Sequence, residues 1–167
     1  RRLEERYALT IRGVHPEHTV DEQAATHGAE LWTRHADRCC EMRKVSPLVA
    51  ELSGFDAWIT AIRRDQTAGR AGALAVEWDA KFGLGKVNPL VRWTKQEVWS
   101  HLLQNDVPYN PLHDRGYPSI GCLPCTSAVA VGEDDRAGRW RGAPKTECGL
   151  HAPMVAAPLE QNAGPSN

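Results

Sequence analysis

Five cysteines fall in three settings: adjacent Cys39 and Cys40, the spaced pair Cys122 and Cys125, and Cys148 within Glu147, Cys148, Gly149, Leu150, His151. Four thiolates in two close pairs are what a tetrahedral zinc or an iron–sulfur cluster needs, which leaves the fifth for chemistry. The run Gly121, Cys122, Leu123, Pro124, Cys125 is a knuckle that can aim two sulfurs at one centre. The adjacent pair discriminates more. Structural zinc usually takes cysteines two to four residues apart, because neighbouring side chains struggle to reach one small ion, whereas a cubane offers several irons. The spacing favours iron and sulfur, and still leaves open a dithiol, half a zinc site or buried apolar filler.

Cys148 is a nucleophile only as a thiolate, and Lys145 and His151 stand near enough in sequence to lower its pKa where the fold brings them together. A thiol near a terminus fits an unreactive surface residue equally well. Basic residues gather in three places: Arg43 and Lys44 after the first pair, Arg63, Arg64 and Arg70 in one loop, and Arg136, Arg139 and Arg141 ahead of Cys148. Arginine makes bidentate bonds to phosphate and sulfate oxygens, so this grouping suits a compact polyanion. Taken singly, each of them reads as a solvated surface group.

The whole chain sets the limits. Its 167 residues fit one domain, and 41% hydrophobic with 25% charged residues is ordinary globular composition. With 20 basic and 21 acidic residues the net charge is -1, so nothing global points to nucleic acid or an anionic membrane, and any anion site is local. No apolar run approaches the roughly 20 residues of a membrane span, and Arg1 to Arg6 lacks a signal peptide's apolar segment. The expectation is a cytoplasmic protein, in which paired cysteines are metal ligands or redox groups rather than staples.

The elements that must hold these residues alternate. Tyr7 to Val14 alternates apolar and polar residues and predicts a strand; Thr19 to Ala36 has helical spacing, with Thr19 or Asp21 as cap. Lys44 to Leu52 predicts a shorter helix, interrupted near its start by Pro47. Ala57 to Ile62 suits a buried strand emptying into the basic segment Arg63 to Gly72, with further strands over Leu74 to Trp78 and Lys86 to Val91. Thr94 to Asn105 is the clearest helix, with Val98, Leu102 and Leu103 on one side. This order predicts an α/β layer, followed by a Pro- and Gly-rich region and a loose tail from Ala152.

Five segments together carry a resemblance. They are Cys39 to Lys44 with Pro47 and Leu48; Arg63 to Gln66 with Arg70; Gly116 to Cys125; Arg136 to Trp140; and Glu147 to His151. As a set, from about Val14 to His151, they resemble the assimilatory adenylyl-sulfate reductases. The resemblance implies a parallel α/β sheet of the adenine nucleotide alpha hydrolase-like type, with helices on both faces and a mobile C-terminal segment. It implies a four-iron four-sulfur cluster held by Cys39, Cys40, Cys122 and Cys125. It also implies that Cys148 attacks the sulfate sulfur of adenosine 5'-phosphosulfate, giving an S-sulfocysteine and AMP, with Lys44, Arg70, Arg136, Arg139 and His151 holding the phosphosulfate. Thioredoxin would then release sulfite, within sulfate assimilation; the resemblance implies neither nucleic acid nor membrane as partner and leaves a homo-oligomer open.

One departure accompanies it. The family's phosphate-cradling Ser, Gly, Gly, x, Asp, Ser type loop does not occur here, so the likeness is to the family's C-terminal two thirds, with residues 1–151 as that part of the domain and 152–167 as a flexible tail. The expectation is an incomplete sheet with an exposed apolar edge, and a chain that alone folds poorly or lacks activity. Three other readings remain: a reductase of 3'-phosphoadenosine 5'-phosphosulfate, a zinc-stabilised module holding nucleic acid through Arg63, Arg64 and Arg70, and a cluster-based redox sensor without catalysis.

Overall fold

The computed structural model describes residues 1–151, and the tail expected over 152–167 lies outside them. Six short α-helices and three strands make an α/β arrangement. The strands β1 (Ala57–Ile59), β2 (Val76–Asp79) and β3 (Leu84–Val87) form a sheet in the order β1, β3, β2. The β1–β3 pair is parallel and the β2–β3 pair antiparallel, so β2 turns back onto its neighbour through a short loop at Gly83.

Register decides what each face carries. Trp58 lies opposite Lys86 and Lys86 opposite Glu77, while Asp79 pairs with Leu84. On the other side Ile59 meets Val87 and Val87 meets Val76, with Ala57, Gly85 and Trp78 in the next row. Side chains alternate across a strand, so one face is charged and the other apolar. The charged face is the covered one: Leu84 and Lys86 are buried, whereas Ile59 is 74% and Trp78 68% exposed. The buried strand expected at Ala57 is therefore a strand with an open apolar face.

The helices obey their caps. Thr19 accepts from the Glu22 N–H and the Glu22 carboxylate accepts from the Thr19 N–H, a capping box that starts α2 (Val20–His27). α2 ends where Gly28 takes φ 80, so the single helix expected to Ala36 is two, with α3 (Leu31–Arg34) following. Thr94 and Glu97 form the same box on α6 (Lys95–Gln104), the helix read most directly from sequence. Leu103 does not share the side of Val98 and Leu102 that is partly covered, and stands 66% exposed.

Two expectations are corrected. Tyr7 to Val14 is not a strand: α1 (Arg2–Tyr7) ends at Ala8, and the following segment pairs with no strand among the described residues, leaving Leu9 and Ile11 each 55% exposed. Alternation supplies a strand's side chains but not the neighbour whose N–H and C=O groups it needs. The second helix begins before Lys44, because α4 (Ala36–Cys40) runs through a π turn at Glu41–Val45 into α5 (Ser46–Leu52). Pro47 explains the widened turn, since in a regular α-helix its ring would meet the Arg43 carbonyl four residues back. The cysteine pair thus lies in the helical path.

The core is small. Leu31, Val45, Leu52, Ile62, Leu84, Val91 and Trp140 are buried among the described residues, and Asn88 is fully enclosed. Asn88 accepts from Thr60 Oγ1 at 2.5 Å and donates to the Leu74 carbonyl and Glu77, tying β3 to the loops at either side. Among the described residues no helix is long and apolar enough to cross a membrane.

Candidate active site

The end of α4 and the knuckle carry the two cysteine pairs, which meet electrostatically through Cys39 and Cys125. Cys39 and Cys40 are buried on α4, and Cys122 and Cys125 flank a 3-10 turn over Leu123–Cys125 in which the Cys125 N–H donates to the Cys122 carbonyl at 3.0 Å. Burial pushes the Cys40 thiol up to about 11, with Lys145 and Lys44 acting against it and Cys148 and Cys39 adding to it. Burial also raises Cys125, reinforced by Cys122 and Cys39 and opposed by Lys44 and Arg139. All four are free thiols; Cys39 is an electrostatic neighbour of both Cys40 and Cys125, and Lys44 acts on both of those. Gln23 donates to the Cys39 sulfur at 3.6 Å. Among the described residues no group of three or more His, Cys, Asp or Glu converges on a single metal ion.

Arg139 reaches this region because Gly121 has no side chain: a Cβ there would lie 2.3 Å from the guanidinium. Its Nη1 donates to the Ile120 carbonyl at 3.2 Å, its guanidinium lies 4.5 Å from the Trp140 ring, and its buried Nε has no partner among the described residues. Beside it opens a cleft of about 620 Å³ whose lining includes Arg63, Arg70, Arg136, Arg139 and His151, with Trp99 and Leu102 across from them. These basic groups, drawn from three chain segments, therefore face one space, whose lining also holds Asp65, Asp134 and Asp135.

The Cys148 segment is strapped over this cleft. Glu147 receives Arg70 Nε at 3.0 Å and Nη2 at 2.8 Å, and Arg136 Nη2 lies 3.4 Å from the same carboxylate. Arg136 also donates to the Thr146 carbonyl at 2.5 Å, and Lys81 to the Gly149 carbonyl at 2.8 Å. His151 stacks on Trp58, with ring centroids 5.6 Å apart and planes at 13°. Burial, with Arg70 and Lys86 nearby, lowers His151 to about 4, so it is neutral at pH 7, and its Nδ1 is buried without a partner among the described residues. Burial lowers Arg136, Arg70 and Arg139 add to the lowering, and Glu147 and Cys148 act to raise it.

Of the basic residues singled out in the sequence, Arg70, Arg136, Arg139 and His151 meet at the cleft, and Lys44 stands with the thiols. Arg43 instead donates to the His18 carbonyl, Arg64 to the Ala73 carbonyl, and Arg141 pairs with Glu133. Lys145 is paired with Asp37 and lies 5.5 Å from the Trp140 ring, so it serves the Cys40 side of the site. Sequence reasoning passed over Glu147 as a partner of the arginines, along with Trp58, Lys86 and Gln66. The signal for Glu147 was its place beside Cys148 in a chain region rich in arginine; for Lys86 it was a lone cation inside an apolar strand.

Three comparisons bear on this geometry. Residues 1–128 match the family model described as phosphoadenosine phosphosulfate reductase domain. The adenosine 5'-phosphosulfate reductase of Oceanobacillus iheyensis is 51% identical over 143 residues, which are 86% of this chain and 60% of that protein. The phosphoadenosine 5'-phosphosulfate reductase of Gloeobacter violaceus is 49% identical over 146 residues, 86% of this chain and 61% of its own length. The chain thus spans about three fifths of these curated relatives. The crystal structure of phosphoadenylyl-sulfate reductase from Candida auris superposes with a TM-score of 0.63 at 30% identity, covering 77% of this chain and 62% of that one.

Proposed function

The chain belongs to the phosphoadenosine phosphosulfate reductase domain family, and from that premise we propose that it carries the sulfur-transfer site of a reductase acting on adenosine 5'-phosphosulfate. The observation that carries the proposal is a cleft lined by Arg136, Arg139 and His151, with Cys148 on the segment whose Glu147 and Thr146 are held by Arg136 and in the electrostatic neighbourhood of Arg136 and Cys40.

In this reading the Cys148 thiolate attacks the sulfate sulfur, the S–O bond to the phosphate breaks, and AMP leaves with the electron pair. Thiolate and phosphosulfate are both anions, so the encounter is repulsive until cations neutralise the substrate. Arg136 and Arg139 supply two guanidiniums for that purpose and stabilise charge on the departing phosphate. His151 offers a buried ring nitrogen that lacks a partner among the described residues and suits a substrate oxygen. Arg70 belongs to the same wall through Glu147. The S-sulfocysteine is then attacked at Cys148 by one thiol of an external dithiol such as thioredoxin; sulfite leaves, and the second thiol closes a disulfide and frees Cys148. Both electrons come from the dithiol.

A four-iron four-sulfur cluster fits the four paired cysteines. They are soft donors, Cys39 relates the two pairs, and Lys44, with Lys145 at Cys40 and Arg139 at Cys125, would offset the charge that thiolates bring. Bound there, it would order the pocket and shape the electrostatic field at the substrate. Cys39, Cys40, Cys122 and Cys125 would hold it, with Gln23 donating to the Cys39 sulfur and Lys44 alongside. The cysteine pairs favour adenosine 5'-phosphosulfate over its 3'-phosphorylated form; the relatives include reductases named for each.

Incubation of a chain extended to the length of the relatives it matches with sulfur-labelled adenosine 5'-phosphosulfate and no reductant tests the proposal. Label should be trapped on Cys148, be released as sulfite by thioredoxin, and vanish in Cys148→Ser. Label transfer undiminished in Cys148→Ser would remove the thiol from the mechanism, and parallel turnover on both nucleotides decides the preference.

A further inference from the structure

Glu147 is an acid in a place the proposed chemistry reserves for cations. Its carboxylate meets both Arg70 and Arg136, and in the Arg70 pair the two side chains are only 9% and 14% exposed. The Arg70 contact is a fork, Nε to one oxygen and Nη2 to the other, and Thr67 Oγ1 adds a bond at 3.3 Å. Arg70 Nη1 is also engaged, by Gln66 Oε1. Arg70 thereby commits three of its five N–H donors inside the protein, one on each nitrogen. Arg139 differs, with a buried Nε that has no partner among the described residues.

Glu147 also adjoins the reacting residue. Fixing its carboxylate on Arg70, 77 positions away in the chain, holds the Cys148 backbone within one residue of a rigid anchor. The other ties on this segment are weaker or open to water: backbone acceptors for Arg136 and Lys81, a ring stack for His151, and a pair between Lys145 and the 93% exposed Asp37. A half-made buried ion pair is costly, so the fork and its carboxylate come and go together.

We propose that Glu147 is the positioning residue of this site: its carboxylate, gripped by Arg70 and Arg136, seats the Cys148 thiol at the cation cleft, and Arg70 acts on sulfur transfer through Glu147 instead of touching the substrate. The assignment rests on the sulfur-transfer reading for its chemistry, but the latch itself has a readout independent of turnover.

The test is alkylation of Cys148 by iodoacetamide, followed by peptide mass spectrometry, in the unaltered protein, Glu147→Gln, Arg70→Gln and the double variant. Releasing the latch should speed modification by about tenfold or more in each single variant, with no further gain in the double, because both remove one interaction. Arg70→Lys, which keeps the charge and loses the fork, should move in the same direction and serves if the other variants do not fold. Affinity for adenosine 5'-phosphosulfate, measured in a Cys148→Ser background, should stay within about twofold while single-turnover labelling of Cys148 falls at least about tenfold, a split between binding and transfer. Unchanged alkylation overturns the latch. So does a loss of affinity of about tenfold or more in Arg70→Gln without faster alkylation, which would make Arg70 a substrate ligand. If a chain extended to the length of the relatives it matches, and otherwise unaltered, binds and transfers no sulfonucleotide, the reductase reading fails, and the alkylation series still decides the latch.

Discussion

The two faces of the three-stranded sheet reverse the usual arrangement. One carries Trp58, Glu77, Asp79 and Lys86 and is covered; the other carries Ile59, Val76, Trp78 and Val87 and, among the described residues, is largely open. Charge goes inside here because one buried lysine sits between two carboxylates. Lys86 lies 3.1 Å from Glu77 and 3.9 Å from Asp79, with its ammonium 5.9 Å from the Trp58 ring. Trp58 in turn supports His151. The covered face therefore forms the floor under the Cys148 segment, and its stability depends on pairing rather than on apolar area. The open face contributes little to this unit beyond strand-forming side chains.

Lys86→Ala should separate the faces most. It strands two carboxylates that are 24% and 10% exposed, and should cost about 3 kcal/mol in denaturant unfolding. A loss under about 0.5 kcal/mol would mean that the pairing does not hold the floor.

Acid should act on the same face, with a smaller effect. His151 titrates near 6.5 in the unfolded chain and at about 4 when folded, so between those values protons bind the unfolded chain and stability falls as pH falls. Burial raises the Glu77 carboxyl, but hydrogen bonds from Lys86, the Leu74 N–H and Asn88 outweigh it and leave it lowered. Its contribution is present above the unfolded value of 4.5 and lost as pH drops through the folded one. Stability curves for the parent and His151→Asn should diverge between pH 6.5 and about 4; coincident curves there would show that the buried imidazole is not charged on unfolding.

The open face should respond least. Ile59→Thr and Trp78→Thr keep β-forming residues at positions 74% and 68% exposed, and each should change stability by no more than about 0.5 kcal/mol while reducing self-association in sedimentation. A cost above about 2 kcal/mol would show that this face is packed in solution.

Legibility in the sequence followed the range of the forces. Thr19 with Glu22 and Thr94 with Glu97 act over three residues, and both helix starts could be read directly. The strand expected from Tyr7 failed because pairing is a long-range property that alternation does not encode. The cysteines and cations of the candidate site were visible as residue types, and the resemblance grouped them; which arginines face the cleft was not, since Arg43, Arg64 and Arg141 have the same local look as Arg136 and Arg139. Glu147 was hidden for the same reason, because its partner lies 77 positions away.

The π turn at Glu41–Val45 gives this part of the chain an arithmetic of its own. It adds one residue to the helical path between the cysteine pair and α5, and each residue of a helix advances the side-chain direction by roughly 100°. Cys39 and Cys40 are thus phased to the rest of the molecule by a count of residues, not only by their identities. Substitutions within the turn preserve that count. Removing a single residue from it would rotate the two thiols about a quarter turn away from Cys122 and Cys125, so this segment should tolerate exchange far better than it tolerates a change in length.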